Sequence, residues 1–180
     1  MGQTKLIEDE GCKLCPLHET RNNIVWIRGT SEKDVDIVLV GEAPGRDEDL
    51  TGKPFVGKAG RLLDKWIEDA ELTSYAIVNI VKCRPPANRK PLKSEIRACL
   101  PHLMKQLHDL NPKLIVALGA TPSSVLTNRK EVVANIGKMF KSRYGTIIIF
   151  PHPAYIARGV DVYVPIKELR EIAKKKLEGG

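Results

Sequence analysis

The chain has 180 residues, of which 42% are apolar, and its 29 Lys and Arg residues outnumber its 22 Asp and Glu residues to give a net charge of +7. This length suits a single domain over residues 1–180, and we expect no second domain. Because no apolar stretch approaches the roughly 18 residues of a membrane span, and residues 1–15 resemble neither a secretory signal nor a basic leader, we predict a cytoplasmic protein with a polyanionic partner.

Four short apolar runs rich in Val and Ile predict strands that are buried on both faces. They are Val35–Val40, Ala76–Val81, Leu114–Leu118 and Thr146–Phe150. Segments with helical periodicity follow each of them. They are Gly60–Glu71, Lys93–Leu110, Thr121–Thr127 and Pro165–Leu177. The alternation predicts an α/β fold in which helices cover both faces of a parallel sheet.

The loop between the first strand and the first helix is rich in glycine and carries several acidic side chains and one aromatic ring. The acidic residues are Glu42, Asp47, Glu48 and Asp49, and the ring is Phe55. Glycine lets the backbone approach a ligand closely, and proline stiffens the loop backbone. The carboxylates and the ring can therefore be held in fixed positions. The loop lacks both the GxxxxGK[ST] and the GxGxxG phosphate-binding patterns. A binding site for another ligand and a solvated acidic surface loop are the two interpretations.

Two polar residues follow other predicted strands at the same edge of the sheet. Asn79 lies near the end of the second strand and His152 follows the fourth, between two prolines. Open parallel sheets bind ligands at the carboxyl ends of their strands, so we expect Glu42, Phe55, Asn79 and His152 to converge on one pocket. Each of three side chains also has a purely structural interpretation. Asn79 could be a hydrogen-bonded amide in the core, His152 a histidine held in a rigid turn, and Phe55 a ring in the core.

The four cysteines form a CKLC pair, Cys12 and Cys15, and two distant positions, Cys83 and Cys99. An intracellular chain of this size has little use for disulfides, so metal binding is the favoured interpretation. Four thiolates can hold either zinc or an iron-sulfur cluster, with a structural role that ties the N-terminus to the loop after the second strand. Four unrelated buried thiols remain the alternative.

Several motifs together resemble the family-four uracil-DNA glycosylases, the iron-sulfur enzymes of many archaea and bacteria. The motifs are GEAPG..ED..G.PFVG.AG.LL, NIVKCRPP.NR.P, LG after the third strand, HPAY after the fourth and the cysteine spacing, and they span residues 12 to about 158. The resemblance implies a uracil-glycosylase fold with a four-stranded parallel sheet. It also implies a 4Fe-4S cluster on the four cysteines and, as partner of a monomeric protein without membrane association, single- or double-stranded DNA that contains uracil.

The resemblance also implies how the base is recognised after it has been flipped out of the stack. Phe55 would stack on the uracil ring. The Asn79 amide would accept from uracil N3–H and donate to O4, a combination that cytosine cannot satisfy. The backbone amides of Glu42 and Ala43 would face the base as well.

Three side chains receive catalytic roles by the same resemblance. His152 would donate a hydrogen bond to uracil O2 and stabilise the leaving anion. Glu42 would orient the attacking water and offset the positive charge on the sugar. Glu48 is the second candidate for that role, or a wall that crowds the C5 position and excludes thymine.

Contacts to the DNA chain are expected from side chains outside the pocket, and the resemblance implies that one of Tyr155, Ile156 and Arg158 enters the duplex. The expected DNA contacts are Lys82, Arg84, Arg89, Tyr155 and Arg158. Two other functions remain open on sequence alone. One is a metal-stapled DNA-binding module that releases no base, and the other is a glycosylase that acts on hypoxanthine or mismatched thymine.

Overall fold

The computed structural model describes residues 11–178, and both ends of the predicted 1–180 domain, residues 1–10 and 179–180, lie outside the described part of the chain. The strands are β1 (Arg28–Gly29), β2 (Ile37–Gly41), β3 (Tyr75–Asn79), β4 (Leu114–Leu118), β5 (Met139–Ser142) and β6 (Gly145–Phe150). The helices are α1 (Arg46–Thr51), α2 (Lys58–Asp69), α3 (Lys93–Leu110), α4 (Ala120–Thr127), α5 (Val132–Asn135), α6 (Pro153–Ala157) and α7 (Ile166–Glu178). Short 3₁₀ turns occupy Pro16–Glu19 and Pro86–Asn88.

The described strands form one mixed sheet in the order β1-β3-β2-β4-β6-β5. Strands β3, β2, β4 and β6 are parallel to one another, as predicted from the four apolar runs. The sheet nevertheless has six strands rather than four, because β1 and β5 pair antiparallel at its two edges. Both edge strands are short and partly exposed, so neither has the apolar run that identifies a strand buried on both faces.

Each central strand contributes to two hydrophobic cores, one on each face of the sheet. Val38 and Val40 pack on the face that Leu103 of α3 covers, whereas Leu39 packs with Leu63 of α2 on the other face. Successive side chains of a strand point to opposite faces, which explains why these apolar runs do not alternate with polar residues. The result is the predicted α/β arrangement of helices on both sides of a sheet, and that prediction is confirmed.

The carboxyl ends of the parallel strands lie side by side. Gly41 pairs with Asn79 across β2 and β3, and Leu118 pairs with Phe150 across β4 and β6. The segments that follow these residues therefore begin at one edge of the sheet. The loop after β2 contains α1, a helix that the sequence did not predict, and α2 begins at Lys58 rather than Gly60. Within the described residues, no helix is long and apolar enough to cross a membrane.

Candidate active site

A cavity of about 520 Å³ lies at the edge of the sheet where the parallel strands end. Its walls come from the loop after β2, the end of β3, the segment after β3 and the start of α6. The structure brings Glu42, Phe55, Asn79 and His152 together around it, although they are distant in sequence. Ala43, Glu48 and Arg89 line the same cavity.

The amide of Asn79 is buried, with 1% of the residue exposed, and its Oδ1 atom has no hydrogen-bond partner among the described residues. A structural amide in a core is normally bonded, and an unsatisfied buried acceptor costs about 1–3 kcal/mol. The oxygen is therefore available to a donor that enters the cavity. Gly41 makes room for it, because a Cβ atom at that position would lie 2.5 Å from both Asn79 Oδ1 and the Phe55 ring.

Phe55 is held in a left-handed backbone conformation, with φ of 56°, which costs a non-glycine residue about 1–3 kcal/mol. Arg28 fixes this conformation, since its Nε donates to Pro54 O at 2.6 Å and its Nη2 donates to Phe55 O at 2.7 Å. Gly60 permits it, because a Cβ atom there would lie 1.8 Å from Phe55 O. The ring is thus positioned by its surroundings rather than by local backbone preference.

His152 faces the Phe55 ring, with 5.7 Å between the ring centroids. Its Nδ1 atom accepts a hydrogen bond of 3.0 Å from the Ala154 N–H, so the proton of the neutral ring resides on Nε2. Burial, assisted by the positive charge of Arg158, lowers the pKa of His152 from 6.5 to about 4. At neutral pH the imidazole is an uncharged hydrogen-bond donor.

The carboxylate of Glu42 is half-buried at the cavity wall and accepts a hydrogen bond from the Thr121 hydroxyl at its Oε2 atom. Thr121 lies in the first turn of α4, which follows β4. The hydroxyl fixes the direction of the carboxylate. In the described part of the chain Oε1 has no bonded partner, so it is available to orient a water molecule.

Glu48 ties α1 to the segment around Phe55. Its Oε1 accepts from the Gly45 N–H at 3.1 Å, and its Oε2 accepts from the N–H groups of Val56 and Gly57 at 2.9 and 3.0 Å. Both carboxylate oxygens are therefore engaged with backbone. This arrangement favours the role of a fixed wall over that of a water-activating base.

The four cysteines line one small cavity on the α3 side of the sheet, and none of them forms a disulfide. Among the described residues three sulfurs have hydrogen-bond partners: Lys82 N–H donates to Cys99 Sγ at 3.4 Å, Arg21 Nη1 donates to Cys83 Sγ at 3.7 Å, and Cys12 Sγ lies 3.3 Å from His102 Nε2. Such donors stabilise metal-bound thiolates, and four thiols facing one cavity are a soft donor set, so the residues fit a thiolate-bound centre. Among the residues that the structure describes, no group of three or more His, Cys, Asp or Glu forms a ready-made metal site.

Burial changes the acidity of these thiols. It raises the pKa of Cys83 to about 11, against the opposing effect of Arg21, and it raises the pKa values of Cys15 and Cys99 as well. Metals bind thiolates, so binding at this site would release protons.

A family model for the uracil DNA glycosylase superfamily matches residues 28–171. The chain is 40% identical to a type-4 uracil-DNA glycosylase from Thermotoga maritima over 172 residues, which cover 93% of this chain and 86% of that protein. The chain belongs to the type-4 uracil-DNA glycosylases. Relatives with the same name from Pyrobaculum aerophilum and Archaeoglobus fulgidus are 39% and 38% identical, over 83% and 81% of this chain and 81% and 77% of theirs. The family resemblance that the motifs predicted is confirmed.

Lys82, one of the residues expected to contact DNA in this type-4 glycosylase, lies in the protein interior. Lys82 is 1% exposed, and its Nζ donates to Asn79 O and to Gln106 Oε1 inside the protein. The prediction that Lys82 contacts DNA is wrong, because its ammonium group does not reach the surface. The basic cluster in the sequence after β3 gave no indication that one of its members turns inward.

The other four expected DNA contacts lie at or near the surface. Arg84 donates to Asn88 Oδ1 at 2.6 Å, and Arg89 forms a bidentate ion pair with Glu95 at 2.8 and 2.9 Å. Tyr155 and Arg158 are exposed on α6 and just after it, with the guanidinium 5.2 Å from the ring centroid. Their roles toward DNA remain predictions.

Sequence reasoning missed several residues that position this type-4 site. Arg28 and Thr121 hold Phe55 and Glu42 through contacts between segments that are distant in the chain. Asp49, expected to be part of the cavity or of a solvated loop, is 1% exposed and accepts from the backbone N–H groups of Asn22 and Asn23. No local pattern marks these residues, because their partners are set by the fold.

Proposed function

We propose that this protein is a monofunctional uracil-DNA glycosylase of base excision repair. It would hydrolyse the N-glycosidic bond of a flipped-out deoxyuridine in single- or double-stranded DNA, release uracil and leave an abasic site. The observation that carries this proposal is the buried Asn79 oxygen without a partner, which faces the same cavity as Phe55 and His152. Membership of the type-4 glycosylases supports it.

Base recognition would rest on Phe55 and Asn79. The ring offers a flat π face for the flipped base, and the Arg28 hydrogen bonds to Pro54 O and Phe55 O keep that face in place. The Asn79 oxygen would accept a hydrogen bond from uracil N3–H and so gain the partner that it lacks in the free protein. The amide NH₂ would donate to uracil O4. Cytosine presents an acceptor at N3 and a donor at C4, so it would leave both amide atoms unpaired. The backbone amides of Glu42 and Ala43 would face the base beside them.

Cleavage would use His152 and Glu42 on the two charges that develop as the bond breaks. The Nε2–H of His152 would donate to uracil O2 and stabilise the leaving anion, a role that suits an imidazole whose pKa lies near 4. Glu42 would orient the water and offset the cationic sugar with the oxygen that Thr121 does not engage. A proton reaches the uracil anion from water after cleavage.

Thymine would be excluded by the wall that Glu48 supports. A carboxylate bonded to three backbone N–H groups is rigid, so this side of the cavity would resist the 5-methyl group. Glu48 would thus contribute to substrate choice, and water activation would fall to Glu42.

A 4Fe-4S cluster would be held by Cys12, Cys15, Cys83 and Cys99. When bound, the cluster would serve as a structural cross-link through its Fe–S bonds. These thiols join the N-terminal segment, the end of the β3 region and α3, which supports a structural role.

The macromolecular partner would be DNA that contains uracil, with the protein acting as a monomer in the cytoplasm of a prokaryotic cell. The net charge of +7 supports binding to the phosphate chain. Arg84, Arg89, Tyr155 and Arg158 would contribute contacts around the pocket, and a residue near α6 would fill the gap left by the flipped base.

The first experiment measures free base released from single-stranded and duplex oligonucleotides that carry one uracil, thymine mismatched with guanine, or hypoxanthine. Glu42→Ala and His152→Ala are compared with Glu68→Ala and His108→Ala, which remove exposed groups of the same chemistry outside the cavity. We expect selective uracil release that falls on the order of 100-fold or more in the first two variants only.

Three other outcomes would contradict the proposal. DNA binding without base release would indicate a binding module. Preferred release of hypoxanthine or thymine would indicate a glycosylase with a different substrate. Equal losses in the control variants would remove Glu42 and His152 from the chemistry.

A further inference from the structure

A second cavity, also of about 520 Å³, lies beside the proposed active site, between α3 and α4. The two cavities are separated by Thr121, which lines the second cavity and donates its hydroxyl to Glu42 at the wall of the first. Neither the motifs nor the proposed chemistry assigns a role to this groove.

The rim of the groove carries three exposed cations, Lys93, Arg97 and Lys130, and no carboxylate lines it. In the described part of the chain none of the three forms an ion pair or a side-chain hydrogen bond, in contrast to Arg89, which Glu95 neutralises. Lys93 and Arg97 are four residues apart on α3 and therefore follow one another along the same helix face. Unpaired like charges around a concave surface attract an anion.

The floor of the groove is apolar and includes Ile96 and Val125, both half-buried. A simple inorganic anion gains no binding energy from an apolar floor. A nucleotide can contact both parts of the groove, because its phosphate binds cations and its sugar and base pack on apolar groups. The groove also continues away from the active site. A third cavity shares Val125 and is lined by Lys141 and Arg143, so cations extend along this side of α4.

We propose that this groove binds the phosphodiester chain of the DNA strand that carries the uracil, at nucleotides beyond the two that directly adjoin the flipped one. The proposal rests on the proposed function, because it assigns the flanking chain of the same substrate to the groove. Lys93, Arg97 and Lys130 contact phosphates, and Ile96 and Val125 contact a sugar or base. Thr121 connects the groove with Glu42, so a strand held there is positioned next to the reacting bond.

The test compares two single-stranded substrates that each contain one uracil. One is a 20-mer that can reach the groove, and the other is a trinucleotide with one residue on each side of the uracil. The variant Arg97→Glu/Lys130→Glu is compared with Lys167→Glu/Lys175→Glu, which makes the same change in net charge on α7, across the sheet from α3 and α4. KM, kcat and the salt dependence of binding to the 20-mer are measured for both variants and the parent.

We expect the groove variant to raise KM for the 20-mer at least tenfold with kcat unchanged and to leave the trinucleotide unaffected. The slope of log affinity against log salt concentration should fall in magnitude by about 1.4, the value for two lost phosphate contacts on a single strand. An unchanged KM for the 20-mer would overturn the proposal. Equal effects of the two double variants would also overturn it, since they would indicate net charge rather than a site.

Failure of the proposed function gives a different result. If the parent releases no base from either substrate, the enzyme assignment fails, and affinity for the 20-mer, measured by fluorescence anisotropy, still decides whether the groove binds a strand. Loss of that affinity in the α3–α4 variant alone supports the groove as a strand-binding site, and unchanged affinity rejects it.

Discussion

At the scale of single residues, the amide of Asn79 combines deep burial with an oxygen that has no hydrogen-bond partner within residues 11–178. We predict that Asn79→Asp lowers kcat/KM for uracil by roughly 10- to 100-fold, because one buried hydrogen bond is worth about 1–3 kcal/mol. The measurement is base release from oligonucleotides with uracil or cytosine. We also expect the ratio of the two rates to shift toward cytosine, and a variant as fast and selective as the parent would remove Asn79 from base recognition.

The depressed pKa of His152 predicts a specific dependence of stability on pH. His152 takes up a proton near pH 6.5 in the unfolded chain and only near pH 4 in the folded protein. Folding therefore favours the neutral imidazole, and the stability that this preference allows is complete above pH 6.5 and is lost as the pH falls toward 4. Between pH 7.5 and 5 the loss should be about 2 kcal/mol.

Urea unfolding of the parent and of His152→Gln at those two pH values tests this expectation, because other titrating groups cancel in the comparison. The parent should lose about 2 kcal/mol more than the variant. Equal losses would show that His152 has an ordinary pKa in the folded protein and would weaken its role as a neutral donor.

Lys82 is expected to act on stability rather than on DNA affinity. Lys82→Met removes the donor to Asn79 O and Gln106 Oε1 and should lower the free energy of unfolding by about 1–3 kcal/mol. The dissociation constant for DNA, measured by fluorescence anisotropy, should stay within about twofold of the parent value, because surface-distant side chains make no phosphate contact. Lys90→Met, at an exposed position, is the control for stability, and weaker DNA binding by a fully stable Lys82→Met would contradict the buried placement.

The side chains that face a ligand were more predictable from sequence than those that support them. Glu42, Asn79 and His152 stand out because they interrupt a strand pattern or follow a strand end, and Phe55 stands out as the one aromatic ring in the glycine-rich loop. Arg28 does not stand out, since an arginine before a predicted strand is common and its bonds to the loop depend on the fold. Lys82 stood out for the wrong reason, because sequence charge does not reveal which way a side chain points.

At the scale of secondary-structure elements, the segment from α1 to α2 places the Phe55 ring through close backbone packing. Gly60→Ala would bring a Cβ atom within 1.8 Å of Phe55 O, and neither backbone segment can move without displacing the ring. We predict a loss of stability of about 1–3 kcal/mol and a fall in uracil release on the order of 100-fold.

Gly57→Ala provides the matched control on the same segment. A Cβ atom there would lie 3.1 Å from Asp47 Oδ2, the end of an exposed side chain that can rotate away, and the φ of Gly57 is −85°. Unfolding by urea and the base-release assay should show a small effect for this variant. A Gly60→Ala protein with parental stability and activity would contradict the packing argument.

The four parallel strands were predictable because each is a continuous apolar run, and the long helices were predictable because their apolar residues recur at helical spacing. Strand β5 and helix α1 were not, for different physical reasons. Strand β5 pairs antiparallel with β6 at the edge of the sheet, and two of its four residues are exposed. It is a strand because of this pairing, and its composition does not mark it as one. Helix α1 has six residues in an acidic loop and depends on the bonds of Glu48 and Asp49 for its position.

At the scale of the whole molecule, the cysteine cavity joins the N-terminal segment to α3 and to the residues after β3. We predict that Cys83→Ser loses iron and sulfide content and the cluster absorbance, and that its Tm falls by about 10 °C or more, as expected when a structural metal centre is lost from a domain of this size. Residual base release per folded molecule should fall less than in Glu42→Ala. Met104→Ser, at an exposed position on α3, is the control for a substitution near the site. An unchanged cluster absorbance in Cys83→Ser would show that Cys83 is not a ligand.

The spacing of the cysteines along the chain has a consequence for biosynthesis. Cys12 and Cys15 are made early, but their spatial partner Cys99 follows 84 residues later. At ordinary rates of translation this interval is roughly 4–17 s. During this interval Cys12 and Cys15 would be free thiols, open to oxidation or to binding a metal other than the one of the proposed cluster. Loading of the proposed cluster would therefore depend on how fast the ribosome reaches α3 and on how well the cell keeps a nascent chain reduced.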